Sequence, residues 1–115
     1  MQDCIFCKII TGEIPGKLIY RDDNFVAFHD ISPKAPTHVL VVPVKHIESI
    51  RDVQGKDKEL IGELFLKVRD IAQKIGISDD GYKVVINNGK GAGQLVFHLH
   101  VHLLGGWSKP AHWEV

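Results

Sequence analysis

The sequence predicts an α+β domain with a mainly antiparallel sheet, and two observations lead to this class. Short apolar segments typical of strands cluster towards both ends of the 115 residues, and a single long segment between them has helical periodicity. Parallel strands need a long crossover, usually a helix, between each pair. One long helix is too few for that, so we expect antiparallel neighbours in a single domain over residues 1–115.

Turn residues separate the predicted elements from one another. The predicted strands are short apolar segments that cover residues 17–20, 25–30, 38–44, 82–86 and 97–104. A short helix is predicted over residues 4–10, before Gly12 and the pair Pro15–Gly16. The long helix is predicted over residues 57–75, because its apolar residues recur at spacings of three and four. Gly76 is a natural end for that helix.

Composition and charge exclude several classes of protein. Apolar residues make up 44% of the sequence and the formal net charge is zero, so there is no basic excess for binding nucleic acid. No apolar segment is long enough to cross a membrane. The apolar run near the N-terminus is short and interrupted by Lys8, unlike a secretory signal. We therefore expect a cytoplasmic protein whose two cysteines stay reduced.

The segment HLHVH, residues 98–102, places three histidines at alternate positions of a predicted strand. Side chains alternate between the faces of a strand, so His98, His100 and His102 would line one open face, roughly 6–7 Å apart. Imidazole titrates near neutral pH and acts as base, acid or nucleophile, which suits phosphoryl or nucleotidyl transfer. Alternating histidines are also common zinc ligands, and a third interpretation is that they are surface residues without a function.

Two loops beside strand ends have a functional and a structural interpretation each. The segment NNGKGAGQ, residues 87–94, matches neither a P-loop nor a dinucleotide-binding fingerprint, and by itself it predicts a hairpin turn. Its glycines would also let backbone N–H groups approach an oxyanion. Asp30 follows a predicted strand, where a carboxylate can bind ribose hydroxyls, although aspartate is also a common turn residue.

Cys4 and Cys7 form a C-x-x-C pair. This spacing suits two thiolates on one tetrahedral metal, but the pair is only half of such a site. A thioredoxin-like redox pair would need a strand-then-helix context that is missing here. A pair of packed, reduced cysteines is the remaining alternative.

Longer segments resemble one family, the histidine triad proteins, and within it the branch of small nucleotide-binding hydrolases. The family signature, in which histidines alternate with apolar residues, stands here as HLHVHLL (98–104). The segments CIFCKIITGEIP (4–15), DISPKAPTHVLVVPVKHI (30–47) and GQLVFHLHVHLLGG (93–106) are similar to this branch in order and spacing. The resemblance covers nearly the whole chain.

The resemblance implies a fold and an activity. It implies a homodimer in which two five-stranded sheets, each with one long and one or two short helices, join into one larger sheet. It implies a purine nucleotide ligand on the histidine face. The expected activity is hydrolysis of purine nucleoside phosphoramidates: His100 attacks the α-phosphorus, the amine leaves, and water then hydrolyses the nucleotidyl-histidine.

The resemblance also assigns roles by position. His102 would contact the phosphate and support proton transfer to the leaving amine, and the His98 carbonyl would hold the His100 tautomer. Asp30 matches the ribose-binding acid. The expected remaining nucleotide-binding residues form the base pocket or lie near the phosphate, and they are Phe6, Ile9, Phe28, His29, Ile31, Asn87, Gly93 and Gln94.

A zinc site is expected from the same resemblance, because bacterial members with this cysteine pair are similar in adding two histidines at matching positions. Here those ligands would be Cys4, Cys7, His46 and His98. Four protein ligands leave no open position for water, so the zinc would be structural. It would tie the N-terminus to the sheet and fix His98 beside the nucleophile.

Leu95 departs from the family pattern, since eukaryotic members usually carry a hydroxyl residue at this position. A hydrogen bond to a charged group is worth ~1.5–3 kcal/mol, so we expect a slower reaction or a changed preference for the leaving group. Two other functions stay open: hydrolysis of dinucleoside polyphosphates, and nucleotide-binding regulation with weak activity. His38 is interpreted as a structural hydrogen-bonding residue.

Overall fold

Five antiparallel strands form one sheet in the computed structural model, which describes residues 3–113. The strands are β1 (Leu18–Arg21), β2 (Phe25–His29), β3 (Thr37–Pro43), β4 (Tyr82–Val85) and β5 (Val101–Gly105). Their order across the sheet is β1-β2-β3-β5-β4. The helices are α1 (Ile5–Thr11) and α2 (Lys58–Lys74). The predicted α+β class is confirmed, and the single-domain prediction extends to residues 1–2 and 114–115, which lie outside the described part.

The central strands β2 and β3 are mainly apolar, and both faces of the sheet are covered. On one face α2 and the sheet share a core that includes Phe25, Ala27, Val39, Val41, Leu64, Val68, Ile71, Leu99, Val101 and Leu103. On the other face α1 and the sheet share a smaller core formed by Phe6, Ile10, Val26, Phe28, Leu40 and Val42. Alternate residues of β2 and β3 therefore enter different cores, which explains why neither strand shows a polar face.

The edges of the sheet differ. β1 pairs with β2 through an irregular register that shifts between Leu18 and Tyr20. β4 forms the opposite edge and pairs with β5 in a regular register.

No helix within residues 3–113 has the length and apolar composition needed to cross a membrane.

The histidine segment contains less strand than the sequence predicts. β5 begins at Val101, so His98 and His100 precede it instead of lying within a strand over 97–104. The chain bends over residues 96–98, where Leu99 N–H donates to the Ile47 carbonyl at 2.6 Å. This segment follows the loop after β3 rather than extending the ladder. His102 lies opposite Leu40 in the β3–β5 register, which places it on the α1 face.

The connection from β4 to β5 is a structured loop. A short 3-10 turn covers Lys90–Ala92 between Gly89 (φ 89°) and Gly93 (φ 87°), where a side chain would be strained. The buried Gln94 accepts a hydrogen bond from Gly89 N–H at 2.8 Å through Oε1. Its Nε2 donates to the carbonyls of Glu48 and Val96 at 2.7 and 3.0 Å. The loop is therefore anchored from inside, unlike the plain hairpin turn that the glycines by themselves predict.

Candidate active site and metal centre

The three histidine rings lie together on the α1 face. The His100 and His102 ring centroids are 4.9 Å apart, and Phe6 packs edge-on against His98 and His100 with centroids at 6.1 and 5.0 Å. The prediction of an open face is wrong for two of the rings, since His98 is 0% exposed and His100 is 7% exposed. Phe6 of α1 covers them, and only His102 is half-buried.

A backbone carbonyl determines the tautomer of His100. Its Nδ1 lies 2.7 Å from the His98 carbonyl oxygen. A carbonyl only accepts, so Nδ1 carries the proton and donates it. The other ring nitrogen of a neutral imidazole then has a free lone pair. A neutral His100 therefore has a free lone pair on Nε2, which is chemically able to act as a nucleophile.

His102 has the opposite tautomer, set by a chain of hydrogen bonds. Lys34 N–H donates to His38 Nδ1 at 3.0 Å, which leaves the proton of a neutral His38 on Nε2. His38 Nε2 lies 2.9 Å from His102 Nδ1 and 3.4 Å from Asp30 Oδ2. His102 Nδ1 therefore accepts, and its proton is on Nε2. A lone pair on His100 thus lies beside a donor on the neighbouring ring.

Burial keeps the imidazoles of this site neutral. Burial, and then the nearby His100 and His38, lower the pKa of His102 to about 4. Burial also lowers the pKa of His100, although the hydrogen bond to the His98 carbonyl opposes the shift. The pKa of His38 falls for the same reason, against the attraction of Asp30. The tautomers deduced above therefore describe the site at neutral pH.

A second cluster contains Cys4, Cys7, His46 and His98, the four predicted zinc ligands. Cys4 Sγ and Cys7 Sγ lie 3.4 and 3.5 Å from His98 Nδ1. His46 Nδ1 lies 3.4 Å from Cys7 Sγ and 3.2 Å from His98 Nδ1. All four ligand atoms lie within 4.8 Å of one another. The structure thus brings together residues that are far apart in the sequence.

The spacing of these four atoms fits a tetrahedral metal. With zinc–sulfur bonds of about 2.3 Å and zinc–nitrogen bonds of about 2.0 Å, tetrahedral corners lie about 3.5 Å apart for S to N and about 3.3 Å apart for N to N. The S–N separations of 3.4–3.5 Å and the N–N separation of 3.2 Å in the cluster match these values. His98 Nε2 also donates to the Pro43 carbonyl at 2.8 Å. That hydrogen bond turns the unprotonated Nδ1 towards the sulfurs, as an outer partner of a metal-binding histidine does.

The cluster has the chemistry of a metal site even before a metal binds. Burial lowers the pKa of His98 to about 4, so its ring is neutral, as a ligand must be. Burial, followed by the hydrogen bond and charge of Cys4, raises the pKa of Cys7 to about 11. A metal ion would displace that proton and receive the thiolate.

The expected base-pocket residues separate into buried and exposed groups. Phe6 and Phe28 are buried and pack edge-on, with centroids 5.3 Å apart. Ile9 is half-buried, whereas His29 and Ile31 are exposed, Ile31 at 95%. They adjoin one face of the sheet and the end of β2, where they form a shelf next to Asp30.

The polar residues expected near the ligand are held by the protein itself. Asp30 Oδ1 accepts from Ser32 N–H at 2.7 Å, and Asn87 Nδ2 donates to the Ala92 carbonyl at 2.9 Å. Gln94 makes the three internal hydrogen bonds described above, so its side chain would have to exchange one to contact a phosphate. Gly93 is exposed at the end of the 3-10 turn.

His38 has a larger place in the site than the sequence suggested. It is the hydrogen-bonding residue that was expected, but its partner is His102, and this contact sets the tautomer of that ring. His38 comes close to His102 because β3 pairs with β5, where His38 lies opposite Leu104, two residues beyond His102. Without the strand pairing this proximity is not visible.

The comparisons with known proteins agree with this geometry. The family model of the HIT domain matches residues 11–109. The chain belongs to the HIT family. It is 43% identical over 105 residues to a purine nucleoside phosphoramidase of Escherichia coli (strain K12), which covers 91% of this chain and 88% of that protein.

Solved structures show the same HIT fold. A HIT family hydrolase from Legionella pneumophila Philadelphia 1 superposes with a TM-score of 0.91 at 45% identity, over 97% of this chain and 98% of that one. A Zn-bound histidine triad family protein from Mycobacterium smegmatis has a TM-score of 0.77 at 31% identity, over 93% and 77% of the two chains. The resemblance inferred from the sequence is thereby confirmed.

Proposed function

We propose that this HIT protein hydrolyses purine nucleoside phosphoramidates through a covalent nucleotidyl-histidine. The observation that carries the proposal is the pair of opposite tautomers: a free lone pair on His100 Nε2 beside a proton on His102 Nε2. The name and similarity of the E. coli relative support the choice of substrate class. A neutral nucleophile next to a hydrogen-bond donor suits attack on an anionic phosphorus centre.

In the first step His100 Nε2 attacks the α-phosphorus, and the phosphorus–nitrogen bond of the substrate breaks. The bound phosphate raises the proton affinity of His102, because a nearby negative charge favours imidazolium, so the ring takes up one proton from solvent when the substrate binds. His102 then gives its proton to the leaving amine. The His98 carbonyl accepts the Nδ1 proton of His100 throughout, so it stabilises the positive charge that develops on the ring.

In the second step water attacks the nucleotidyl-histidine. Neutral His102 takes a proton from that water, the bond from phosphorus to His100 breaks, and the nucleoside monophosphate leaves. His102 is protonated again, so the cycle closes without a further reagent. A phosphorus–imidazole bond is reactive, and two moderate barriers replace one high barrier.

The nucleotide is proposed to bind at the end of β2. Asp30 would accept hydrogen bonds from the ribose hydroxyls, as acidic residues do in other nucleotide sites. The shelf beside it would receive the purine, and its residues are Phe6, Ile9, Phe28, His29 and Ile31. The backbone of the loop that includes Asn87, Gly93 and Gln94 would lie near the phosphate.

The cluster of Cys4, Cys7, His46 and His98 is proposed to bind zinc, as the spacing of its atoms and the Zn-bound relative support. Such a closed site supplies folding free energy and no reactive water. Its task here would be to fix His98, whose carbonyl contacts the nucleophile. A reducing, cytoplasmic location, as expected from the sequence, would keep both thiols available.

The active form is proposed to be a homodimer in which β4 pairs with β4 of a second copy. β4 is an edge strand, and Val84 on it is 40% exposed. On α2, Phe65 and Leu66 are about half exposed. Unpaired edge strands with apolar residues favour pairing with another chain. Light scattering that gives the mass of one chain at micromolar concentration would contradict the dimer.

Trapping the intermediate tests the proposed function. Incubation with a slowly hydrolysed AMP donor should add one nucleotidyl group to His100, located by mass spectrometry. His100→Asn should abolish the adduct and lower kcat by at least about 10³-fold. The matched control is His112→Asn, an exposed histidine in the tail, which should keep both. An adduct that persists in His100→Asn would overturn the assignment of the nucleophile.

The same assay ranks the two other functions. A dinucleoside polyphosphate would give the same adduct with a nucleotide as the leaving group, so rates on both substrates should be compared. A regulatory role with vestigial activity would show tight nucleotide binding with hardly any turnover. We expect the phosphoramidate to be the faster substrate.

A further inference from the structure

The cluster of Cys4, Cys7, His46 and His98 is open to solvent on the side of its cysteines. His98 is buried, whereas Cys4, Cys7 and His46 are half-buried. A cavity of about 390 Å³ opens beside the cluster, and the residues that line it include Cys4 and His46 but not Cys7. A molecule as small as a hydroperoxide can therefore approach Cys4 through this cavity.

The two cysteines are close enough to react with each other. Cys4 precedes α1 and Cys7 lies in its first turn, where its N–H contacts Cys4 Sγ at 3.4 Å. The two sulfurs lie within 4.8 Å of one another. Cysteines separated by two residues form the disulfides of thiol oxidoreductases. Both are free thiols in this structure.

We propose that a hydroperoxide converts Cys4 and Cys7 into a reversible disulfide, which removes both sulfur ligands from the metal cluster. This inference rests on the metal binding proposed above. The disulfide leaves only the two imidazoles of the cluster, too few for a closed tetrahedral site. Oxidation would thus free His98 Nδ1, on the residue whose carbonyl contacts the nucleophile.

The reaction balances with hydrogen peroxide as the oxidant. In the zinc-loaded protein both sulfurs are thiolates, because the metal displaces their protons. Cys4 thiolate attacks one peroxide oxygen, the O–O bond breaks, and the released hydroxide takes a proton to become water. The sulfenic acid on Cys4 is then attacked by Cys7 thiolate, which forms the S–S bond and expels a second hydroxide. Two thiolates lose two electrons in total, and one peroxide and two protons become two waters.

The test uses the full chain, reduced and loaded with zinc, and treats it with a small excess of hydrogen peroxide. Zinc release is followed with a chromogenic chelator, free thiols by titration, and the disulfide by peptide mass. We expect one zinc to leave per chain as two thiols disappear, with the same time course. Dithiothreitol with added zinc should restore both. Intact thiols and retained zinc would overturn the proposal, as would a sulfinic acid on Cys4 without a disulfide.

Three variants separate the roles of the cysteines. In Cys7→Ser the sulfenic acid on Cys4 should persist and react with dimedone, whereas in Cys4→Ser labelling of Cys7 should be at least about fivefold slower. Cys7→His keeps four possible zinc ligands but cannot form the disulfide, so peroxide should not release its zinc at the wild-type rate. Equal labelling of the two single-serine variants would contradict the order of attack.

The outcome is independent of the proposed hydrolase activity, because mass, thiol count and zinc are measured without substrate. Hydrolysis by the reduced protein without a peroxide response would leave the proposed function intact and remove the redox inference. A disulfide with zinc release in a protein that hydrolyses no phosphoramidate would support the redox inference and overturn the proposed function.

Discussion

The two ends of the histidine row differ although they lie only four residues apart. At one end both ring nitrogens of His98 are engaged, one with Pro43 and one with the cysteine sulfurs, and the residue is fully buried. At the other end His102 is half-buried and keeps its Nε2 proton free. His100 lies between them and takes its tautomer from the fixed end.

This difference suits the two tasks proposed for the motif. In the proposed function the buried end fixes the position of the nucleophile, and the half-buried end contacts the substrate. A histidine that binds a metal cannot also exchange protons with a substrate, so the alternation of the motif would give those tasks to separate rings.

Removing the metal from the fixed end should reduce stability more than catalysis. Chelation should lower the Tm by on the order of 10 °C, because the cluster joins α1 to the loops around His46 and His98. The kcat of the protein that remains folded should fall by only a few-fold. Calorimetry and kinetics before and after chelation, with zinc added back as the control, measure both. Full loss of activity at an unchanged Tm would instead indicate a catalytic metal.

At the open end, His38→Ala should impair catalysis and spare the metal. The substitution leaves His102 Nδ1 without its donor, which costs roughly 1–3 kcal/mol. If this cost falls on the transition state, kcat decreases about 10- to 100-fold. His38→Gln retains a side-chain N–H and should recover part of the loss. Zinc content should be unchanged in both, and a loss of zinc from either would refute the separation of the two ends.

Acid should destabilise the fold through His102. Its pKa is about 4 in the folded protein against an ordinary value of 6.5, so the unfolded chain takes up a proton first as the pH falls. This contribution is complete above pH 6.5 and is lost between 6.5 and about 4. Its size is roughly 1–2 kcal/mol after allowance for solvent screening of a half-buried ring.

Urea unfolding at several pH values checks this effect. The free energy of unfolding should fall less steeply below pH 6.5 in His102→Asn than in the wild type. Parallel curves for the two proteins would show that another group causes the loss of stability in acid.

The smallest effect is expected from Leu95→Ser. Leu95 is 90% exposed, so the change should leave the Tm within about 2 °C. A hydroxyl at this position adds one hydrogen bond in competition with solvent, and we expect a threefold to tenfold rise in kcat/KM, roughly. Rates on substrates with good and poor leaving amines measure it. An unchanged kcat/KM on both kinds of substrate would show that residue 95 does not contribute to the reaction.

The fold was largely predictable from the sequence because its elements are local. The long helix was predicted over 57–75 and is observed over Lys58–Lys74, and the apolar segments became strands within a residue or two. The exception is the segment before Val101. Its alternation of polar and apolar residues is real, but contacts with Pro43 and Ile47 bend it out of the ladder. Such contacts join distant parts of the chain and leave no local pattern.

The site was predictable to a different degree at its two ends. Cys4 and Cys7 are recognisable in the sequence as a C-x-x-C pair, whereas the contribution of His38 depends on the pairing of β3 with β5. Burial of His98 and His100 was not predictable either, because it is caused by Phe6 from a helix more than 90 residues earlier in the chain. Sequence spacing gives the composition of such a site more readily than its exposure.

The irregular register of β1 has a consequence for self-association. If two copies join through β4, as proposed, both outer margins of the combined sheet would consist of β1. The shift between Leu18 and Tyr20 breaks the regular row of backbone donors and acceptors that a further chain would need. Growth by strand addition would therefore stop at ten strands, counted as two copies of the five-stranded sheet. A filament is thereby disfavoured by the same chain that offers one side for pairing.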